Sequence, residues 1–198
     1  MKTQMKFQKI LMIVSLIIAA CSVLYALIFC GGTIWQISVA ASSVQGAQDL
    51  IYNAQAFSDT FLILGIVYVL VIVLMMVMGN GSRRKYYITN YIATGIAVLY
   101  MLIFAVLLVV NVSNIISWFN LVDLEKAKAR YIDFGWEKPT QFGLKWEEYP
   151  WVFTAGYIYF AIVIINAIII ALNTTWKVAL MKGEKKLLEG NLVEKEVA

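Results

Sequence analysis

The chain has no histidine and only two cysteines and two prolines among its 198 residues. Four long stretches, residues 10–48, 60–82, 86–122 and 149–176, contain no Asp, Glu, Lys or Arg. Each absence excludes some chemistry. Without His there is no imidazole base and no imidazole metal ligand. Without ionisable groups in the apolar stretches, the residues that proton pumps, ion-coupled carriers and intramembrane hydrolases need at depth are missing. Cys21 and Cys30 fall on one expected helix, ~13 Å apart along its axis and beyond disulfide reach. They read as small apolar packing residues. Gly31-Gly32 and Gly79-Asn80-Gly81 lack the lysine and the strand-to-helix setting of a phosphate loop. The expectation is no catalytic residue, no metal site, no cofactor and no enzyme.

What is there is apolar. Hydrophobic residues make up 62% of the chain and the mean hydropathy is +0.78, whereas a soluble domain is about half apolar. Each charge-free stretch holds about 20 consecutive apolar residues, enough for a helix to cross ~30 Å of hydrocarbon. Only structures that satisfy their own backbone groups survive there. The expected fold class is an all-α membrane protein of four transmembrane helices in two hairpins, forming a single domain over 1–198. The spans are expected at about 10–30, 60–78, 88–111 and 151–173, with outer loops 31–59 and 112–150 and a tail at 177–198. Ile18-Ala19-Ala20-Cys21 matches a lipoprotein cleavage signal, but Ser22 to Cys30 stays apolar, so an uncleaved span is expected.

Positive charge sets the expected orientation. Lys2, Lys6 and Lys9 precede span one, Arg83, Arg84 and Lys85 link spans two and three, and Lys177, Lys182, Lys185 and Lys186 follow span four. Loop 31–59 has no Lys or Arg. The positive-inside rule puts both termini in the cytoplasm. Trp35, Trp118, Trp136, Trp146 and Trp151 then lie on the outer side, at headgroup level. The net charge of +4 is accounted for by these membrane-flanking residues, so no nucleic-acid partner is expected. The compact size and lack of external cysteines point to a bacterial cytoplasmic membrane.

Helices two and three are expected to extend outward. Ser42 and Gln45 fit a capping box, which would start helix two near Ser43. Asp123 with Lys126 and Glu125 with Lys128 have helical spacing, which would carry helix three to about Tyr131. The alternative is a break near Asn111–Asn114, with residues 115–131 flat on the membrane. Alternation in Trp35, Ile37, Val39 and in Phe142, Leu144, Trp146 permits two short strands. The tail from Lys177 extends helix four inward.

Two faces stand out. Ser15, Ala19, Ser22, Ala26 and Cys30 make a stripe of small residues on span one, suited to close helix packing in lipid. Tyr159, Asn166 and Asn173 make a polar line on span four. Asn166 lies near mid-membrane and must find a partner, because an unpaired amide there is costly. Tyr68, Tyr100, Ser15 and Ser22 are the candidates. The layout resembles the tetraspan class, such as claudins and tetraspanins, in topology alone. Trp35 stands without the claudin cysteine pair, and the large loop lacks the Cys-Cys-Gly of tetraspanins. The expected partners are the lipid bilayer and a membrane protein or a second copy. The expected role is contact-based: accessory subunit, scaffold or immunity-type protein. The competing expectation is a component of a transporter or channel formed by oligomerisation.

Overall fold

The computed structural model describes residues 2–31, 33–38, 42–79, 87–133 and 150–197. It is all helical. The elements are α1 (Lys2–Ile28), α2 (Thr33–Ile37), α3 (Ala47–Gly79), α4 (Tyr87–Phe119), α5 (Leu124–Asp133) and α6 (Trp151–Val197). Four of them, α1, α3, α4 and α6, are long and apolar enough to cross a membrane. The protein is therefore an integral membrane protein. Its α3 and α4 have 33 residues each, ~50 Å of helix against a ~30 Å hydrocarbon layer. Helix α6 has 47 residues and runs ~70 Å.

The four long helices form a ring in which α1 packs on α3, α3 on α4, α4 on α6, and α6 back on α1. Neighbours are antiparallel. Along α1 and α3, Gln8 meets Gly79, Ser22 approaches Gly65, and Cys30 meets Ser58. Along α4 and α6, Tyr91 meets Met181 and Ser113 meets Tyr157. The outside of the ring is aliphatic: Ile10, Ile13, Ile17, Leu70, Val77, Leu99, Ile165 and Leu172 are all exposed. Inside, small, aromatic and amide side chains are packed with aliphatic ones such as Leu50, Ile72, Leu108 and Ile170. An outer surface as apolar as the core suits lipid, where apolar surface gains nothing by burial and close packing must hold the helices together.

Short helices and turns cap one end. Helix α2 packs on α3 and α5, burying Ile34 and Ile37. This corrects the strand reading over residues 35–38, Val39 lying outside the described residues. Burial falls on Ile34 and Ile37, three apart, while Trp35 between them is 47% exposed, so the local period is helical. The strand expectation for residues 142–146 lies outside the described residues, as do Trp136, Trp146 and the Arg83–Lys85 link.

Helix α3 begins at Ala47, not near Ser43. Gly46 has φ 79°, a left-handed conformation that ends the preceding turn and that other residues resist. It also lies against the Leu121 carbonyl, which an added Cβ would meet at 3.2 Å. Helix α4 passes Asn111–Asn114 unbroken but stops at Phe119, so neither the continuous helix to Tyr131 nor a break at 111–114 holds. Asp123 is the reason. Its Oδ1 accepts the Lys126 backbone N–H at 3.1 Å, and its Oδ2 pairs with Lys126 Nζ at 3.0 Å. The pair read as a helix-surface neighbour is the N-cap of a separate helix, a role Asp strongly prefers.

Candidate functional site

The polar line on α6 faces α1 at all three positions. Tyr159 donates its hydroxyl to the Ile18 carbonyl at 2.6 Å. Asn166 Oδ1 accepts from Ser15 Oγ at 3.1 Å, and Asn173 Oδ1 accepts from Gln4 Nε2 at 3.1 Å. A fourth bond, from the Tyr25 hydroxyl to the Val152 carbonyl at 2.8 Å, closes the far end. The α1–α6 seam has the fewest close backbone approaches of the four. Long side chains span it and are held by hydrogen bonds.

Of the candidate partners for Asn166, Ser15 bonds to it directly. Tyr100 donates instead to the Leu64 carbonyl at 2.6 Å, and Ser22 turns to its own Ala19 carbonyl at 2.6 Å. Tyr68 is completely buried and interacts with Asn166. Neither its hydroxyl nor Asn166 Nδ2 completes a hydrogen bond. The small-residue stripe meets α3 where Ser22 and Val23 lie against Gly65. A Cβ there would stand 2.8 Å from Ser22 Oγ and 3.2 Å from the Val23 backbone nitrogen. Ser15, Ala19, Ser22 and Ala26 are buried, and Cys30, half-buried, contacts Ser58 Oγ at 3.2 Å.

Two features went unread in the sequence. The first is an aromatic stack through the middle of the ring. Phe29 and Phe57 have ring centroids 4.1 Å apart, Phe57 and Phe61 4.4 Å, and Phe61 and Phe104 5.5 Å. Phe104 reaches Tyr68 at 5.3 Å and Tyr159 at 6.4 Å. Tyr25 of α1 joins them, 6.2 Å from Phe57 and 6.1 Å from Tyr159, so rings from all four long helices meet in the core. Scattered at irregular spacing along separate spans, they give no one-dimensional signal.

The second is a polar end to the bundle. Gln8 Nε2 donates to the buried Gly79 carbonyl at 3.1 Å, capping the C-terminus of α3. Gln8, Asn90, Thr94, Asn173 and Lys177 line a narrow cavity there. All five are buried. A signal was present: Gln4 and Gln8 continue the α1 stripe below Ser15 at helical spacing, and Lys177 lies one turn beyond Asn173. At the opposite end, Asn53, Asn111, Asn114, Trp118 and Leu121 line an open groove of about 350 Å³ between α3 and α4. Comparison of the chain with protein-family models, curated proteins and solved structures finds no match.

Proposed function

We propose that this integral membrane protein is not an enzyme and acts through contacts with another membrane protein or a second copy of itself, as an accessory subunit, scaffold or immunity-type protein. The observation that carries this reading is the aromatic stack. Tyr25, Phe61, Phe104 and Phe153 are buried and come from the four long helices, so the core is filled where a conduit through one copy would run. Side chains packed this closely support a closed core.

The contact surface would be the groove of Asn53, Asn111, Asn114 and Trp118, with Tyr52, which is 73% exposed, on the neighbouring turn of α3. Amides and aromatic rings are effective interface groups because they combine apolar area with hydrogen bonding. In this reading Lys6, Lys9, Lys177 and Lys182 mark the cytoplasmic end by the positive-inside rule. The groove then faces outward, in a bacterial cytoplasmic membrane.

The test is a photo-crosslinking residue at position 52 or 118, activated in intact membranes. A discrete adduct heavier than the 22.3 kDa chain supports the reading, and its composition separates a foreign partner from a second copy. Recovery of uncrosslinked monomer alone from both positions overturns it. Ion flux in liposomes above that of empty vesicles would favour the transporter reading instead.

A further inference from the structure

Lys177 is a buried cation without a described counter-ion. Only 8% of its surface is exposed, and it lies in the cavity at the polar end of the bundle. The carboxylates described with their side chains, Asp49, Asp59, Asp123, Glu125 and Asp133, all belong to the other half of the molecule. Lys6, Lys9 and Lys182, exposed at this end, add only positive charge. Along α6 the nearest acidic residue is Glu184, ~10 Å further on. A charge partly withdrawn from water is stabilised by an anion beside it.

The hydrogen-bond inventory of the cavity points the same way. Thr94 and Thr174 spend their hydroxyl protons on the Asn90 and Ile170 carbonyls. Gln8 gives its amide to Gly79. Asn173 Oδ1 is taken by Gln4, which leaves the Asn173 NH₂ to face elsewhere. The Lys177 ammonium and the NH₂ groups of Asn90 and Asn173 therefore have no acceptor among the described residues. Against these donors stand two orphaned acceptors: Asn90 Oδ1, on a residue only 3% exposed that lines the cavity, and Gln4 Oε1, on the residue that bonds Asn173. An ammonium has three donors, enough for Asn90 Oδ1 and an incoming anion together. The cavity is partly open and its volume is about 10 Å³, room for one oxygen atom at the scale of a water.

We propose that this cavity takes one oxygen of a phosphate-type anion. Lys177 is its charge partner, Asn90 and Asn173 are its amide donors, and the rest of the anion sits at the cavity mouth. Lipid headgroups and inorganic phosphate share this chemistry. Basic pockets between transmembrane helices bind phosphate headgroups by the same means. The assignment is independent of the contact surface at the opposite end.

The experiment uses the full chain in neutral maltoside micelles. Thermal unfolding is followed with no addition, with phosphatidylglycerol, and with sodium phosphate against sodium chloride of equal ionic strength. Occupancy raises Tm by about 5 °C when the anion is well above its dissociation constant, and Lys177→Met removes most of that rise. A rise with phosphatidylglycerol alone identifies a headgroup site, and a rise with phosphate identifies a soluble-anion site. No rise with either, or an equal rise in Lys177→Met, overturns the proposal. Lys182→Gln, at the same end but exposed, keeps the rise. If it loses as much as Lys177→Met, the attraction is only general and the site is disproved. Should Lys177→Met fail to elute as a folded particle, Asn90→Leu takes its place, and an undiminished rise in that variant also disproves the site.

Discussion

At the residue scale, single side chains in this bundle are decided by which neighbour they meet. Gly65 and Gly95 show the contrast. A Cβ on Gly65 would press on Ser22 and the Val23 backbone, whereas one on Gly95 would meet nothing within 4 Å. Gly65→Val is expected to cost about 1–3 kcal/mol through overpacking of the α1–α3 seam. Gly95→Ala should leave unfolding in detergent unchanged or slightly improved. Equal effects at the two sites would contradict the close approach of α1 and α3. Asn166 invites a second pair of variants. Asn166→Leu removes one hydrogen bond to Ser15 but also an unsatisfied Nδ2. Its expected cost stays near the ~0.6 kcal/mol average for hydrogen bonds between membrane helices. Asn166→Asp places a charge at the same depth and should cost about 3 kcal/mol. Measuring both by denaturant unfolding separates a modest clasp from a site that requires polarity. The sequence drew attention to Asn166 because an amide is rare in such a run. It could not choose among four partners that differ only in where their helices lie.

At the scale of elements, the helix boundaries follow local chemistry that competes with hydrophobic periodicity. Nothing between Ile96 and Phe134 is Gly or Pro, yet α4 ends at Phe119 and α5 starts after Asp123. The final turn of α4 tightens, with Leu121 N–H on the Trp118 carbonyl and Val122 N–H on the Phe119 carbonyl. Burial of Val122 and the Asp123 cap then redirect the chain. The Lys126 backbone N–H and side chain hold the Asp123 carboxyl below the usual carboxylate range. A depressed folded-state pKa means that the cap is in force above the ordinary carboxylate pKa and is lost as pH falls through the lowered one. Asp123→Ala should therefore speed amide exchange across residues 124–133 at neutral pH while leaving α4 protected. Wild type should approach the variant only in strong acid. Exchange rates in α5 that do not differ between the two proteins would refute the capping role. The two-residue spacing of Trp35 and Ile37 misled for a related reason: a five-residue segment is too short for its period to outweigh the contacts it makes with α3 and α5.

At the scale of the whole molecule, the ring is held by three dense seams and one bridged by tyrosine, asparagine and glutamine side chains. The aromatic stack ties the four helices across the centre. Phe61 is 2% exposed and touches Phe57 and Phe104, so Phe61→Ala should cost about 3–5 kcal/mol. Liposome flux measured on this variant beside wild type asks whether the stack closes the core. A conduit appearing only in the variant would agree with closure, whereas flux already present in wild type would contradict it. The sequence alone determined that four helices are long and apolar enough to cross a membrane, because apolar length and the need to satisfy the backbone favour that solution. It also marked which faces of spans one and four differ from lipid-facing surface. The tertiary structure decided the order of the ring, the partners of Asn166 and Tyr100, the meeting of the aromatic rings, and the placement of Lys177 among amides. The physical reason is that lipid rewards every apolar face alike. Which helix lies beside which then depends on shape, on close approach at glycine, and on hydrogen bonds between residues more than a hundred positions apart.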